Sequence, residues 1–160
     1  MRTFGNMKRL AIMTALSIAA ASVVAASERP DAGSSYAPGL GEFMAATQMR
    51  HAKLWFAGRA RNWPLAEFEI HEIREGLEDA GKLHPMLKGD IPVADMIQSN
   101  LDAPLGDLAK AIAAKDRGQF TRAFDKLSAG CNACHTAAAH AYIRIQRPTV
   151  PPVTNQRFSP

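Results

Sequence analysis

The sequence predicts an all-α protein, an antiparallel four-helix bundle, and three observations carry that prediction. Four stretches repeat apolar residues at helical spacing, short links containing Pro, Gly or Asn separate them, and no stretch alternates as a strand does. At 160 residues the chain has room for one domain and little more.

Each element has its own signal. Residues 1–26 read as a secretory signal: Arg2, Lys8 and Arg9 lead, Leu10 to Ala20 is apolar, and Val24-Ala25-Ala26 offers a cleavage site. The apolar run is shorter than the roughly 20 residues of a spanning helix, so no stable membrane insertion is expected. Residues 27–40, with their prolines, glycines and serines, read as a flexible lead-in. The bundle is expected over 41–147. Its first helix runs from Gly41 to Arg61. Asn62, Trp63 and Pro64 start a second helix through Lys82, because Asn caps free amide groups and proline is tolerated in a first turn. A loop spans His84 to Pro92. The third helix, Val93 to Lys115, meets Pro104, where a kink or break is expected. The last runs from Gln119 to Gln146 and stops before Pro148, leaving a proline-rich tail over 148–160.

Charge excludes one class of function. Lys plus Arg outnumber Asp plus Glu by 19 to 15. Three of those basic residues lie in the signal, which has no acidic ones, so 16 face 15 from Ser27 onward. No basic stripe interleaved with aromatics remains, and nucleic acid is not an expected partner.

The chemistry is concentrated in Cys131-Asn132-Ala133-Cys134-His135. C-x-x-C-H is the attachment pattern for a c-type haem: two thiols one helical turn apart each bond one vinyl group, and the adjacent imidazole reaches the iron. At 100° per residue, Cys134 and His135 fall within about 60° of Cys131, as do Phe120, Phe124, Leu127, Ala138, Tyr142 and Ile145. The motif therefore belongs to the apolar face of its helix, whereas His140 falls opposite. The rival readings are weaker. A dithiol redox motif wants a βαβ context, and a closed zinc site wants a second ligand pair. Export agrees with haem attachment, which bacteria carry out beyond the cytoplasm, and predicts a periplasmic location.

With that motif near the end of the last of four helices, the chain resembles the cytochrome c-prime superfamily, the class II c-type cytochromes. The resemblance covers Gly41 to Gln146. Arg50-His51-Ala52-Lys53-Leu54-Trp55 and Asn62-Trp63-Pro64-Leu65-Ala66 also look like small bacterial members. It implies a bundle with one covalent haem c on the last helix, single-electron transfer with redox partner proteins rather than enzymatic turnover, and a homodimer through the first two helices. The alternative is a five-coordinate haem protein that binds a small gas such as nitric oxide.

In such proteins the first helix faces the iron opposite the histidine. A last helix ending at Gln146 and an antiparallel first helix starting at Gly41 put Arg50 to Ala52 at the level of His135. His51 shares an apolar arc with Phe43, Met44, Leu54 and Trp55 and is the leading candidate for second axial ligand. Met49 or Met44 follows, and an open position is the remaining reading. Arg50 is a candidate partner for a haem propionate. Glu67, Glu69, Glu72, Glu75, Glu78 and Asp79 read as a wet face, His71 and His84 as surface or loop residues, Trp55, Trp63 and Phe68 as core, and Tyr142 as packing.

Overall fold

The computed structural model describes residues 36–88 and 90–160. The signal expected over 1–26 and most of the lead-in lie outside the described residues. Four helices follow one another: α1 (Leu40–Arg59), α2 (Trp63–Leu83), α3 (Val93–Ala113) and α4 (Arg117–Ala137). Between α2 and α3, where a plain loop was expected, β1 (Met86–Leu87) pairs antiparallel with β2 (Ile91–Pro92) in a minimal hairpin. No described helix is long and apolar enough to cross a membrane.

The helix starts follow local chemistry. Asn62 Oδ1 accepts a hydrogen bond from the Leu65 N–H at 3.3 Å, and Pro64 occupies the first turn of α2. Asp116 Oδ1 does the same for the Gln119 N–H at 2.9 Å, which opens α4 two residues earlier than expected. The ends use one device three times. Arg61, Lys115 and Ala139 adopt left-handed backbone with φ of 59°, 54° and 59°. The following N–H then reaches back five residues, as from Asn62 to the Ala57 carbonyl, Asp116 to Ala111 and His140 to His135. This is the Schellman arrangement, built here without glycine.

One core joins all four helices. Leu54 and Ala57 of α1, Ile70 and Ile73 of α2, Leu105 and Leu108 of α3, and Phe120, Phe124 and Leu127 of α4 are buried together. Trp55 joins this core and Trp63 packs against it, but Phe68 is 48% exposed, with the Arg50 guanidinium 5.3 Å above its ring. Glu69 also departs from expectation: it is buried, paired with Arg50 at 3.3 Å, rather than part of a wet face.

Two close approaches set the helix spacing. The tip of the Phe120 ring abuts Gly58, where a Cβ would meet its Cζ and Cε carbons at about 2.1–2.5 Å. On the other side, α3 continues unbroken through Pro104. Proline has no N–H to give the Asn100 carbonyl one turn back. α4 passes directly over that carbonyl at Gly130, where a Cβ would be 2.4 Å from its oxygen and 2.8 Å from Leu101 Cδ2. Gly130→Ala is therefore expected to push α4 from α3 and cost about 1–3 kcal/mol, the usual range for overpacking. A urea titration reads this as a lower midpoint at unchanged slope; a wild-type midpoint would contradict the close approach.

Candidate functional site

The principal correction concerns the last helix. It ends at Ala137, not Gln146, because Ala139 turns left-handed and the chain doubles back. Residues 138–147 form a strap over the end of the bundle instead of two further turns of α4. Tyr142 is consequently 78% exposed rather than packed inward. His140, which a continuous helix would send to the far side, joins Ile145 in lining the site.

Strap, α1, α3 and α4, with Leu77 of α2 and Leu87 of β1, line a cavity of about 490 Å³, within the range of ordinary small-molecule sites. Its walls are almost wholly apolar, with Leu40 and Met44 from α1, Met96, Ile97 and Leu101 from α3, and Ile143 and Ile145 from the strap. Cys131, Cys134 and His135 all open onto it. Gly130 brings this part of α4 against α3, and the Cys134 thiol lies 3.6 Å from the Met96 carbonyl.

The two cysteines are free thiols. Burial, with a smaller contribution from Cys134, pushes the Cys131 thiol up to about 12, and burial also raises Cys134. Both therefore hold their protons, whereas direct metal ligation and disulfide exchange need thiolate. Among the described residues, no three His, Cys, Asp or Glu side chains converge to hold a bare metal ion.

His135 has one ring nitrogen committed. Nδ1 lies 2.9 Å from the Ile143 carbonyl of the strap. A carbonyl only accepts, so in the neutral ring Nδ1 carries the proton and Nε2 keeps the lone pair. This is the arrangement of a histidine prepared to coordinate through Nε2.

The register between α1 and α4 corrects the expected level of His51. Its Nε2 lies 2.9 Å from Ser128 Oγ, Trp55 packs against Phe124 at 4.8 Å between ring centres, and Gly58 meets Phe120. Residue numbers rise along α1 as they fall along α4, so the two helices are antiparallel. Moving from Ser128 to His135 spans seven residues, and the same step back along α1 runs from His51 to Met44. Met44 thus stands opposite His135, while His51 is about 10 Å further along α1 and still lines the same cavity. The level was displaced because the helix end was expected nine residues later than it occurs.

His51 is buried against Phe124, with ring centres 4.3 Å apart. The Ser128 hydroxyl donates to the Phe124 carbonyl at 3.0 Å, so it accepts from His51 Nε2–H. That nitrogen has no lone pair left for a metal. Met49 is 40% exposed and outside the cavity wall. Arg50 faces α2, bonding Glu69 at 3.3 Å and Glu72 at 2.7 Å, and is likewise outside the wall. Burial raises the Glu69 carboxyl above its ordinary range, with Arg50 opposing the shift. His84 Nε2 donates to the Pro38 carbonyl at 2.8 Å and tethers the chain entering α1, and His71 pairs on the surface with Glu75. Residue types could not reveal the Ile143 carbonyl, since any residue could supply it.

Comparison with family models, with curated proteins and with solved structures finds no match.

Burial holds the His51 imidazole down to about 4 from its ordinary 6.5. The folded chain excludes a proton that the unfolded chain accepts, so its contribution is complete above pH 6.5 and is lost as pH falls toward 4. Unfolding at pH 5 is expected to cost about 2 kcal/mol less than at pH 7 on this account. His51→Leu should flatten that part of the profile in urea titrations at the two pH values; an unchanged profile would assign the acid sensitivity elsewhere.

Proposed function

We propose that this chain is a c-type cytochrome that carries one haem through thioethers at Cys131 and Cys134 and transfers single electrons in the periplasm. The observation that carries the reading is the joint opening of Cys131, Cys134 and His135 onto one apolar cavity of suitable size. The protonated thiols and the absence of converging ligands among the described residues speak against a dithiol or bare-metal site. The bundle order and motif position add the resemblance to cytochrome c-prime proteins.

Bound haem supplies a one-electron iron couple; the protein contributes ligand, polarity and access. His135 would hold the iron through Nε2. Met44, half-buried in the wall and level with His135, would be the second ligand that the register favours, in preference to His51. The apolar wall excludes water from the ring, and a thioether ligand favours a higher potential than a second imidazole would. Function then needs only a ring edge near solvent and a weakly bound redox protein, with no substrate-handling groups.

Expression in a haem-competent periplasm should give coloured protein whose mass exceeds the processed chain by one haem. Replacing Cys131 and Cys134 by Ser should abolish the covalent attachment. The reduced spectrum should be low-spin, and Met44→Ala should turn it high-spin and open to carbon monoxide, while His51→Leu should leave it unchanged. A colourless wild-type protein would sink the reading. A high-spin wild type that binds carbon monoxide readily would replace electron transfer with gas binding.

A further inference from the structure

We propose that Asn132, the residue after the first cysteine, is a positioning residue that fixes the proton of His135 by clamping the strap. Asn132 Nδ2 donates to the Ile145 carbonyl at 2.9 Å, and Asn132 Oδ1 accepts from the Ile145 N–H at 2.7 Å. The side-chain amide pairs with the strap as a neighbouring peptide would in a ladder. Only one orientation of the amide satisfies both bonds. The clamp holds the strap two residues beyond Ile143, whose carbonyl receives the proton on His135 Nδ1.

Asn132 and His135 stand on the same short stretch of α4, so the clamp and its target are fixed relative to each other by helical backbone. Further along, Arg147 bonds Asp125 and lies 5.1 Å above the Trp55 ring, and Phe158 packs on Phe56 with ring centres 5.6 Å apart. Those anchors fix the course of the chain past the site. They leave the segment between Ala139 and Arg147 to be placed by Asn132. A hydrogen bond from Nδ1 to a carbonyl makes the imidazole more basic and favours the ferric over the ferrous ion. Losing it weakens that preference and raises the potential.

The potential change rests on the cytochrome reading, whereas the proton position does not. Two variants cut the same clamp from opposite sides: Asn132→Ala removes both bonds from α4, and Ile145→Pro removes the strap N–H. Because Ile145 also lines the cavity, the His135 tautomer is read in both variants and the potential in Asn132→Ala. In the full-length chain, nitrogen NMR of His135 should show Nδ1 protonated in the wild type and a mixture of tautomers in each folded variant. In haem-loaded protein, a tenfold loss of ferric preference corresponds to an upward shift of about 59 mV. A clamp with a purely structural role would lower stability and leave both readouts unmoved. Unchanged tautomer and potential in a folded variant overturn the proposal. A wild type that takes up no haem overturns the cytochrome reading, and the tautomer comparison still decides the clamp.

Discussion

The left-handed turn at Ala139 is the constraint from which the site follows. Had α4 continued, residues 138–147 would have extended the helix and left the apolar ends of α1 and α3 uncovered. Because the His140 N–H closes on the His135 carbonyl, the chain reverses at the level of the motif. Ile143 and Ile145 then roof the cavity, and a strap carbonyl comes within hydrogen-bonding distance of the histidine ring. The same reversal sets which residue of α1 faces that ring, since the helix end fixes its depth in the bundle. A non-glycine residue in this conformation costs on the order of 1–3 kcal/mol, so the surrounding bonds must hold it. The Asn132 pairing and the Asp125–Arg147 bridge are among the contacts available to do so.

The buried polar groups of the bundle are arranged so that none lacks a partner among the described residues. His51, Ser128 and the Phe124 carbonyl form one chain of donors and acceptors between α1 and α4. Arg50, Glu69 and Glu72 form the corresponding link between α1 and α2. Both links tie α1 to its neighbours, at depths where a polar group without a partner would cost about 1–3 kcal/mol. They give α1 a fixed depth and rotation, and so determine which residues it presents to the cavity, His51 among them. His51 reaches the cavity wall while bonding Ser128, whereas Arg50 turns away toward α2.

Helix number, order and inward faces were legible because they depend on periodic burial, and the starts of α1, α2 and α3 fell close to their signals. Asn62 and Pro64 announced α2 by chemistry that works locally. The ends were less legible for an equally local reason. Arg61, Lys115 and Ala139 occupy positions where glycine would have marked a stop, and Ala-Ala-Ala-His reads as helix. Missing that last stop displaced the expected partner of His135 by two turns. Glu69 was misread because a carboxylate among five other acids suggests water, while its actual environment depends on an arginine from another helix. The motif itself was visible, since its spacing is chemistry rather than packing.

Burial of the thiols has a consequence for the folded chain. Two free cysteines one helical turn apart are open to closure into a disulfide when an oxidant is present. Closure proceeds through thiolate, and burial disfavours that form at both Cys131 and Cys134. Packing in the apolar wall therefore makes these thiols slower to react than the same pair would be in an unfolded chain.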